Sequence, residues 1–251
     1  MKITYQKRLI SPHDVEHEIH AKIDPHRKST SGLSDIILGG QDGLVNVLGV
    51  ILGVAAATHD PRIVLVAGLA ATFAESVSMG AVAFTSTIAD ADYYDSEKER
   101  EIRHIEQVPV LERGEIRQIY ADKGFEGDLL ERIVDTITAD RDVWVAVMLS
   151  EEHQLAPINR SQAWKSALLV GISAIVGSLI PLIPFVFLPV VMSMWVSVGI
   201  TALVLFVVGA YKAKLMVGHP GKSGLELAMI GTLSALAGYA VGMLLKLPPT
   251  P

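Results

Sequence analysis

Two apolar segments near the start of the chain carry acidic residues: LGGQDGLVNVLG at residues 38–49 and AESVSMGA at residues 74–81. An acid in the middle of a membrane span costs ~2.5–3.5 kcal/mol on insertion scales, so it normally faces a partner or a water-filled cavity. A hydrogen bond between two spans contributes only about 0.6 kcal/mol, which offsets little of that cost. We therefore interpret Asp42 and Glu75 as functional residues of a membrane helix pair.

Polar and small side chains recur on one face of each segment when it is drawn as a helix. On the helix that contains the first segment, this stripe consists of Asp35, Gly39, Asp42, Asn46, Gly49 and Gly53. On the helix that contains the second, it consists of Gly68, Thr72, Glu75, Met79, Val82 and Ser86. A thioether beside carboxylates suits a transition metal better than magnesium or calcium. The pattern predicts a path for metal ions lined by Asp35, Asp42, Asn46, Glu75 and Met79.

Apolar side chains of the helix that contains the first segment lie away from this stripe. Those expected to face lipid are Ile36, Ile37, Leu44, Val45, Leu48 and Leu52. The glycines of this helix form two pairs four residues apart, Gly39/Gly43 and Gly49/Gly53, which let two helices approach closely. We expect two protomers to pack on these glycine faces, with the ion path between them.

Five apolar runs are long enough to cross a bilayer: 33–57, 63–89, 167–187, 190–211 and 225–245. They predict an all-α polytopic membrane protein with five transmembrane helices. The expected divisions are an N-terminal segment (1–30), spans one and two (31–89), a helical metal-binding insertion (90–160), spans three to five (161–247) and a tail (248–251).

Basic residues predict the orientation. The N-terminal segment, the stretch 98–165 and the loop 211–223 together contain 19 of the 21 Lys and Arg residues. With five spans these three regions share one side, which the positive-inside rule assigns to the cytosol. The sequence contains no cysteine, which excludes disulfides and thiolate ligands, so a soft metal ligand must be methionine.

The N-terminal segment is rich in histidine. A short amphipathic helix expected over residues 12–23 would place His13, His17 and His20 on one face. Such spacing suits a metal site, and it equally suits an interfacial helix whose histidines are solvated. Both interpretations stay open.

The insertion is strongly acidic: residues 90–152 contain 18 acidic and 8 basic residues, a local net charge of −10. It predicts three helical pieces: the second span continued to Gln107, a helix over 110–123 stopped by Gly124, and a third from about 128 to 155. The candidate metal ligands are Glu97, Glu101, His104, Glu112, Glu115, Met148 and Glu152. The alternative is a solvated acidic bundle without a metal.

The two acidic segments, followed by an acidic insertion and three further spans, resemble the vacuolar iron transporter family over about residues 31–247. The resemblance implies a homodimer of five-span protomers that exports Fe²⁺, often also Mn²⁺, from the cytosol in exchange for protons. The family's translocation residues carry over to Asp42 and Met79, with Glu75 alongside. Its cytosolic metal ligands carry over to Glu101, Glu112, Glu115, Met148 and Glu152.

Two positions depart from the family pattern. His104 stands where a second glutamate is expected, and Leu149 follows Met148 where the family can have two methionines. These changes leave the number and identity of the cytosolic metals open. The acids of the membrane path are all present.

We expect a secondary transporter rather than an enzyme, with divalent transition metal as substrate and no organic cofactor. The expected partners are lipid, protons and a second copy of the chain, without nucleic acid, in a vacuolar or cell membrane.

A different class of protein stays open, because Glu101-Ile102-Arg103-His104 is a Glu-x-x-His pair as in ferritin-like di-iron helices. A membrane-anchored ferroxidase normally uses two such pairs, and the sequence contains one. A metal sensor or scaffold would not explain acids inside the bilayer.

Overall fold

The computed structural model describes residues 31–215 and 218–245, and these residues form helices without any β-strand. The α-helices are α1 (Ser31–Thr58), α2 (Pro61–Gln107), α3 (Pro109–Asp122), α4 (Gly127–Thr138), α5 (Arg141–Val147), α6 (Gln162–Phe187), α7 (Val190–Leu215) and α8 (Pro220–Leu244). A π-helical turn, Met148–Glu152, follows α5. The all-α prediction is confirmed. The expected histidine helix (12–23) and the tail (248–251) lie outside the described residues.

Five of these helices, α1, α2, α6, α7 and α8, are long and apolar enough to cross a membrane, as predicted. The first two form a tight antiparallel hairpin. Asp60 begins α2 because its carboxylate accepts hydrogen bonds from the backbone N–H groups of Arg62 and Ile63, while Pro61 occupies the first helical position. The chain therefore reverses direction within two residues.

Helix α1 lies at the centre of the membrane bundle and contacts α2, α6, α7 and α8. The side chains of Leu44, Leu48 and Leu52 are 2%, 1% and 3% exposed. The prediction that these three residues face lipid is wrong, because a helix surrounded by four others buries apolar side chains in directions that sequence alone does not reveal. Ile36 is exposed, as predicted.

The glycines of α1 let its backbone approach other helices of the same chain. A Cβ atom on Gly43 would overlap the Ala174 carbonyl oxygen of α6, and one on Gly53 would lie 2.8 Å from the Gly238 oxygen of α8. On α8, a Cβ on Gly242 would overlap the Gly53 carbonyl oxygen. The expectation that these faces join two protomers is therefore wrong, since α6 and α8 of the same chain already cover them.

Helix α2 runs unbroken for 47 residues and ends at Gln107, where Val108 and Pro109 follow. At 1.5 Å per residue it is about 70 Å long, more than twice the hydrocarbon thickness of a bilayer. The predicted continuation of the second span into the insertion is confirmed. One helix thus carries residues of the membrane bundle and of the insertion.

The insertion forms a small bundle around its own apolar core, which includes Ile116, Val134 and Met148. The stop at Gly124 is confirmed by its φ of +92°. The expected single third helix is wrong. The chain breaks after Thr138, and the Asp140 carboxylate accepts hydrogen bonds from the backbone N–H groups of residues 142 and 143 to begin α5.

Candidate metal centre

Two acids meet inside the membrane bundle. The carboxyl groups of Asp42 on α1 and Glu75 on α2 lie close enough to interact with each other. Asp42 lies 16 residues before Thr58, and Glu75 lies 14 residues after Pro61. These separations correspond to about 24 and 21 Å along the helices, so the hairpin brings both acids to nearly the same depth. Two carboxylates placed this way can share a proton or a cation.

The other residues of the expected path surround this pair unequally. Met79 follows Glu75 by one helical turn and is half-buried, and Asp35 is also half-buried. Asn46, one turn after Asp42, is exposed on the outer surface of the chain. The structure thus brings Asp42 and Glu75 together, whereas no other helix among the described residues packs over Asn46.

A second group of polar side chains forms where α2, α3 and the π-helical turn meet. Glu101, His104 and Glu112 each offer a ligand atom, and the three atoms lie within 4.8 Å of one another. Glu101, Glu152 and His153 form a second such triad with the same spacing. Glu101 belongs to both triads. We call these five residues, together with Glu115, the insertion cluster.

The polar contacts of the insertion cluster leave acceptor capacity unused. The His153 Nε2 atom lies 2.9 Å from Glu101 Oε1, and the His104 Nδ1 atom lies 3.5 Å from Glu112 Oε1. The second oxygens of Glu101 and Glu112 are buried and have no hydrogen-bond partner among the described residues. A buried carboxylate oxygen without a partner is costly, and a bound cation would relieve that cost. Carboxylate and imidazole together suit divalent transition metals.

The cluster lines a cavity of about 300 Å³ that opens to solvent. Burial, reinforced by the negative charges of Glu115 and Glu101, raises the pKa of Glu112 to about 7. Burial and the charge of Glu115 also raise the pKa of Glu152. The fold therefore gathers carboxylates that repel one another, an arrangement that a cation stabilises.

Two predicted ligands lie elsewhere. The side chain of Met148 is fully buried in the apolar core of the insertion and is not among the residues lining the cavity. Glu97 also lies outside the lining and forms an ion pair with Arg100, at 2.7 Å. Whether either residue reaches a metal stays a prediction.

His153 is the member of the cluster that sequence reasoning missed. The helical spacing that selected Met148 and Glu152 assumes a regular helix, and the backbone here is a π-helical turn. The one sequence signal for His153 is its position directly after Glu152, in an acidic segment.

Comparison with known proteins identifies the family. The model of the VIT family matches residues 33–243, most of the chain. The chain belongs to the VIT family. Three similar proteins align with this VIT-family chain over almost its whole length, and all three are named vacuolar iron transporters. The proteins from Oryza sativa subsp. japonica and Eucalyptus grandis are 30% and 31% identical over 234 and 237 residues, 93% and 94% of this chain and 93% and 92% of theirs. The protein from Plasmodium falciparum is 27% identical over 244 residues, 93% of this chain and 89% of its own.

The predicted resemblance is thus confirmed, and this VIT-family chain is a multi-pass membrane protein. The relatives are named as transporters, which is consistent with a protein that is not an enzyme. These names do not favour the ferritin-like ferroxidase.

Proposed function

We propose that this chain is a secondary transporter that moves a divalent transition metal out of the cytosol in exchange for protons. The observation that carries the proposal is the continuity of α2, which holds Glu75 and Met79 in the membrane bundle and Glu101 and His104 in the insertion. One continuous helix thus links the cluster to the membrane acids. Fe²⁺ is the expected substrate because the relatives are named iron transporters. Mn²⁺ is the expected second substrate because carboxylate ligands suit it as well.

The insertion faces the cytosol in this proposal, as the distribution of Lys and Arg predicts. Its net charge of −10 over residues 90–152 attracts cations from solution. The ion then follows α2 towards the membrane acids. Glu97 and Met79 are 18 residues apart on that helix, about 27 Å and five turns, so they lie on the same face.

A second copy of the chain completes the membrane path. Asn46 on α1 and Ser78 on α2 are exposed polar residues within spans, beside the half-buried Asp42 and Glu75. Polar groups in contact with hydrocarbon lack hydrogen-bond partners, which is unfavourable. A homodimer formed on this exposed face of α1 and α2 would cover them and enclose the ion between two protomers.

Proton coupling follows from the chemistry of the paired acids. A carboxylate must lose its proton to bind a metal, so metal and proton compete for the same oxygens. Protons arriving from an acidic compartment displace the metal there, and the site returns ready for the next ion. The membrane concerned is that of a vacuole or of the cell.

Metal flux into proteoliposomes tests the proposal. Purified protein is reconstituted, and uptake of Fe²⁺, Mn²⁺, Zn²⁺ and Ca²⁺ is followed with an acidic or a neutral lumen. We expect Fe²⁺ and Mn²⁺ uptake that an acidic lumen accelerates and that a protonophore slows. Uptake of none of these metals would refute transport, and uptake indifferent to the pH gradient would refute the coupling.

A further inference from the structure

His153 occupies a position in the insertion cluster that neither residue spacing nor family resemblance predicted. Its side chain is 18% exposed, and that of Glu101, which it contacts at 2.9 Å, is 3% exposed. The ligand atoms of Glu101, Glu152 and His153 all lie within 4.8 Å of one another. Two consecutive residues therefore converge on the same buried carboxylate.

An irregular backbone produces this convergence. In a regular α-helix consecutive side chains point about 100° apart, which would turn His153 away from the partner of Glu152. Here the backbone N–H of His153 donates to the Met148 carbonyl oxygen five residues earlier, and Gln154 has a φ of +54°. A π-helical turn and a non-glycine residue with positive φ are both unfavourable locally and concentrate at functional sites.

The geometry around Glu101 fits a cation as well as it fits a hydrogen bond. Metal bonds to imidazole nitrogen and carboxylate oxygen are roughly 2.1 Å long, which places adjacent ligand atoms of an octahedral ion about 3.0 Å apart. The observed separation of His153 Nε2 and Glu101 Oε1 is 2.9 Å. The other Glu101 oxygen is buried without a partner among the described residues, which leaves it free to bind a second ion or the same one.

We propose that His153 is a nitrogen ligand of a metal subsite formed with Glu101 and Glu152, and that it directs the cluster towards transition metals. The inference rests on the proposed role of the cluster in collecting metal. Imidazole suits iron, cobalt, nickel and zinc, whereas sites made only of oxygen also suit magnesium and calcium. Since His153 adds nitrogen to an otherwise carboxylate triad, it lets the insertion discriminate against Mg²⁺ and Ca²⁺.

The test measures metal ligation directly in the full chain, purified in detergent. Pulsed electron paramagnetic resonance of bound Mn²⁺ detects the nitrogen of a coordinating imidazole, and titration with Co²⁺ in the presence of Mg²⁺ measures selectivity. The test variant is His153→Gln, whose amide can still donate a hydrogen bond to Glu101. The matched control is His219→Gln, which makes the same change at an exposed histidine outside the cluster.

We expect His153→Gln to lose the nitrogen coupling that His153 contributes, leaving at most that of His104, and to lower the preference for Co²⁺ over Mg²⁺ by on the order of tenfold. The control should match the unmodified protein. Unchanged coupling and selectivity in His153→Gln would overturn the inference, since they would show that His153 only positions Glu101. Failure of the unmodified protein to bind either metal would overturn it too.

A second variant covers the case in which His153→Gln does not fold. His104→Gln leaves His153 as the imidazole of the cluster, so nitrogen coupling must persist there. Its complete loss would overturn the inference. Because neither readout involves flux, ligation by His153 stands or falls separately from transport: a chain that ligates metal through His153 but moves none would refute only the proposed function.

Discussion

Asp42 and Glu75 reach each other across the α1–α2 hairpin, although 33 residues separate them in the sequence. Two adjacent carboxylates repel each other, so a shared proton or cation would make the pair tolerable inside a bilayer. We propose that they bind one proton or one ion together. Substitutions at the two positions should therefore be coupled.

The variants Asp42→Asn and Glu75→Gln test this coupling. We expect each to lower the initial rate of Fe²⁺ flux by on the order of tenfold or more, and the double variant to be little worse than either, because residues acting as a unit are not additive. Proteoliposome uptake measures the rates. Glu226→Gln, at an exposed acid of α8, is the control and should transport normally. Independent, multiplying losses would contradict a shared site.

The close approach of α1 and α8 predicts a marked effect of one methyl group. In Gly242→Ala the new Cβ would overlap the Gly53 carbonyl oxygen, a backbone atom that cannot rotate away as a flexible side chain can. We expect a loss of about 1–3 kcal/mol in the free energy of unfolding, seen as a lower thermal midpoint in detergent. Gly199→Ala places the same methyl where no atom lies within 4 Å, and its midpoint should not fall. Equal midpoints for the two variants would argue against the packing.

The raised pKa of Glu112 predicts how the stability of the metal-free protein depends on pH. Burial raises its pKa in the fold from 4.5 to about 7. Its contribution to stability is therefore fully present below pH 4.5 and is lost as the pH rises through about 7. We expect a higher thermal midpoint at pH 6 than at pH 8, and a smaller difference in Glu112→Gln, which cannot ionise. The same pH dependence in both proteins would contradict the assignment.

Metal binding should show the opposite dependence on pH. A metal binds the deprotonated carboxylate, so binding must displace the proton that Glu112 holds below about pH 7. We expect the affinity for Co²⁺ to fall between pH 8 and pH 6, with proton release detectable by calorimetry in buffers of different ionisation enthalpy. Binding without proton release at pH 6 would count against Glu112 as a ligand.

The break before α5 predicts unequal roles for two acidic helix caps. Asp140 accepts two backbone hydrogen bonds at the start of α5, whereas Glu126 makes no side-chain cap bond at the start of α4. Asp140→Ala should cost about 1 kcal/mol and speed amide hydrogen exchange over residues 141–152, where the cluster's π-helical turn lies. Glu126→Ala should leave that exchange unchanged. Comparable exchange in the two variants would show that the cap does not hold the turn.

The elements that were predictable depend on signals that act locally. Hydropathy over about 20 residues revealed the five spans, because a bilayer demands that length of apolar helix wherever the helix lies. The lack of a helix breaker before Val108 and Pro109 predicted the long α2. The cost of an acid in hydrocarbon selected Asp42 and Glu75 without knowledge of their partners.

Tertiary structure decided which neighbours each side chain contacts, because local sequence signals do not distinguish one neighbour from another. Core-facing and lipid-facing side chains of a span are both apolar, so the burial of Leu48 depends on which helices surround α1. The same holds for Gly53, whose close contact belongs to α8 rather than to a second protomer. His153 meets Glu101 because the chain breaks before Asp140 and then forms a π-helical turn, and regular helical spacing cannot predict that path. The sequence by itself thus determined which segments are long and apolar enough to span a membrane and which acids lie within them, while packing between distant segments decided what those side chains touch.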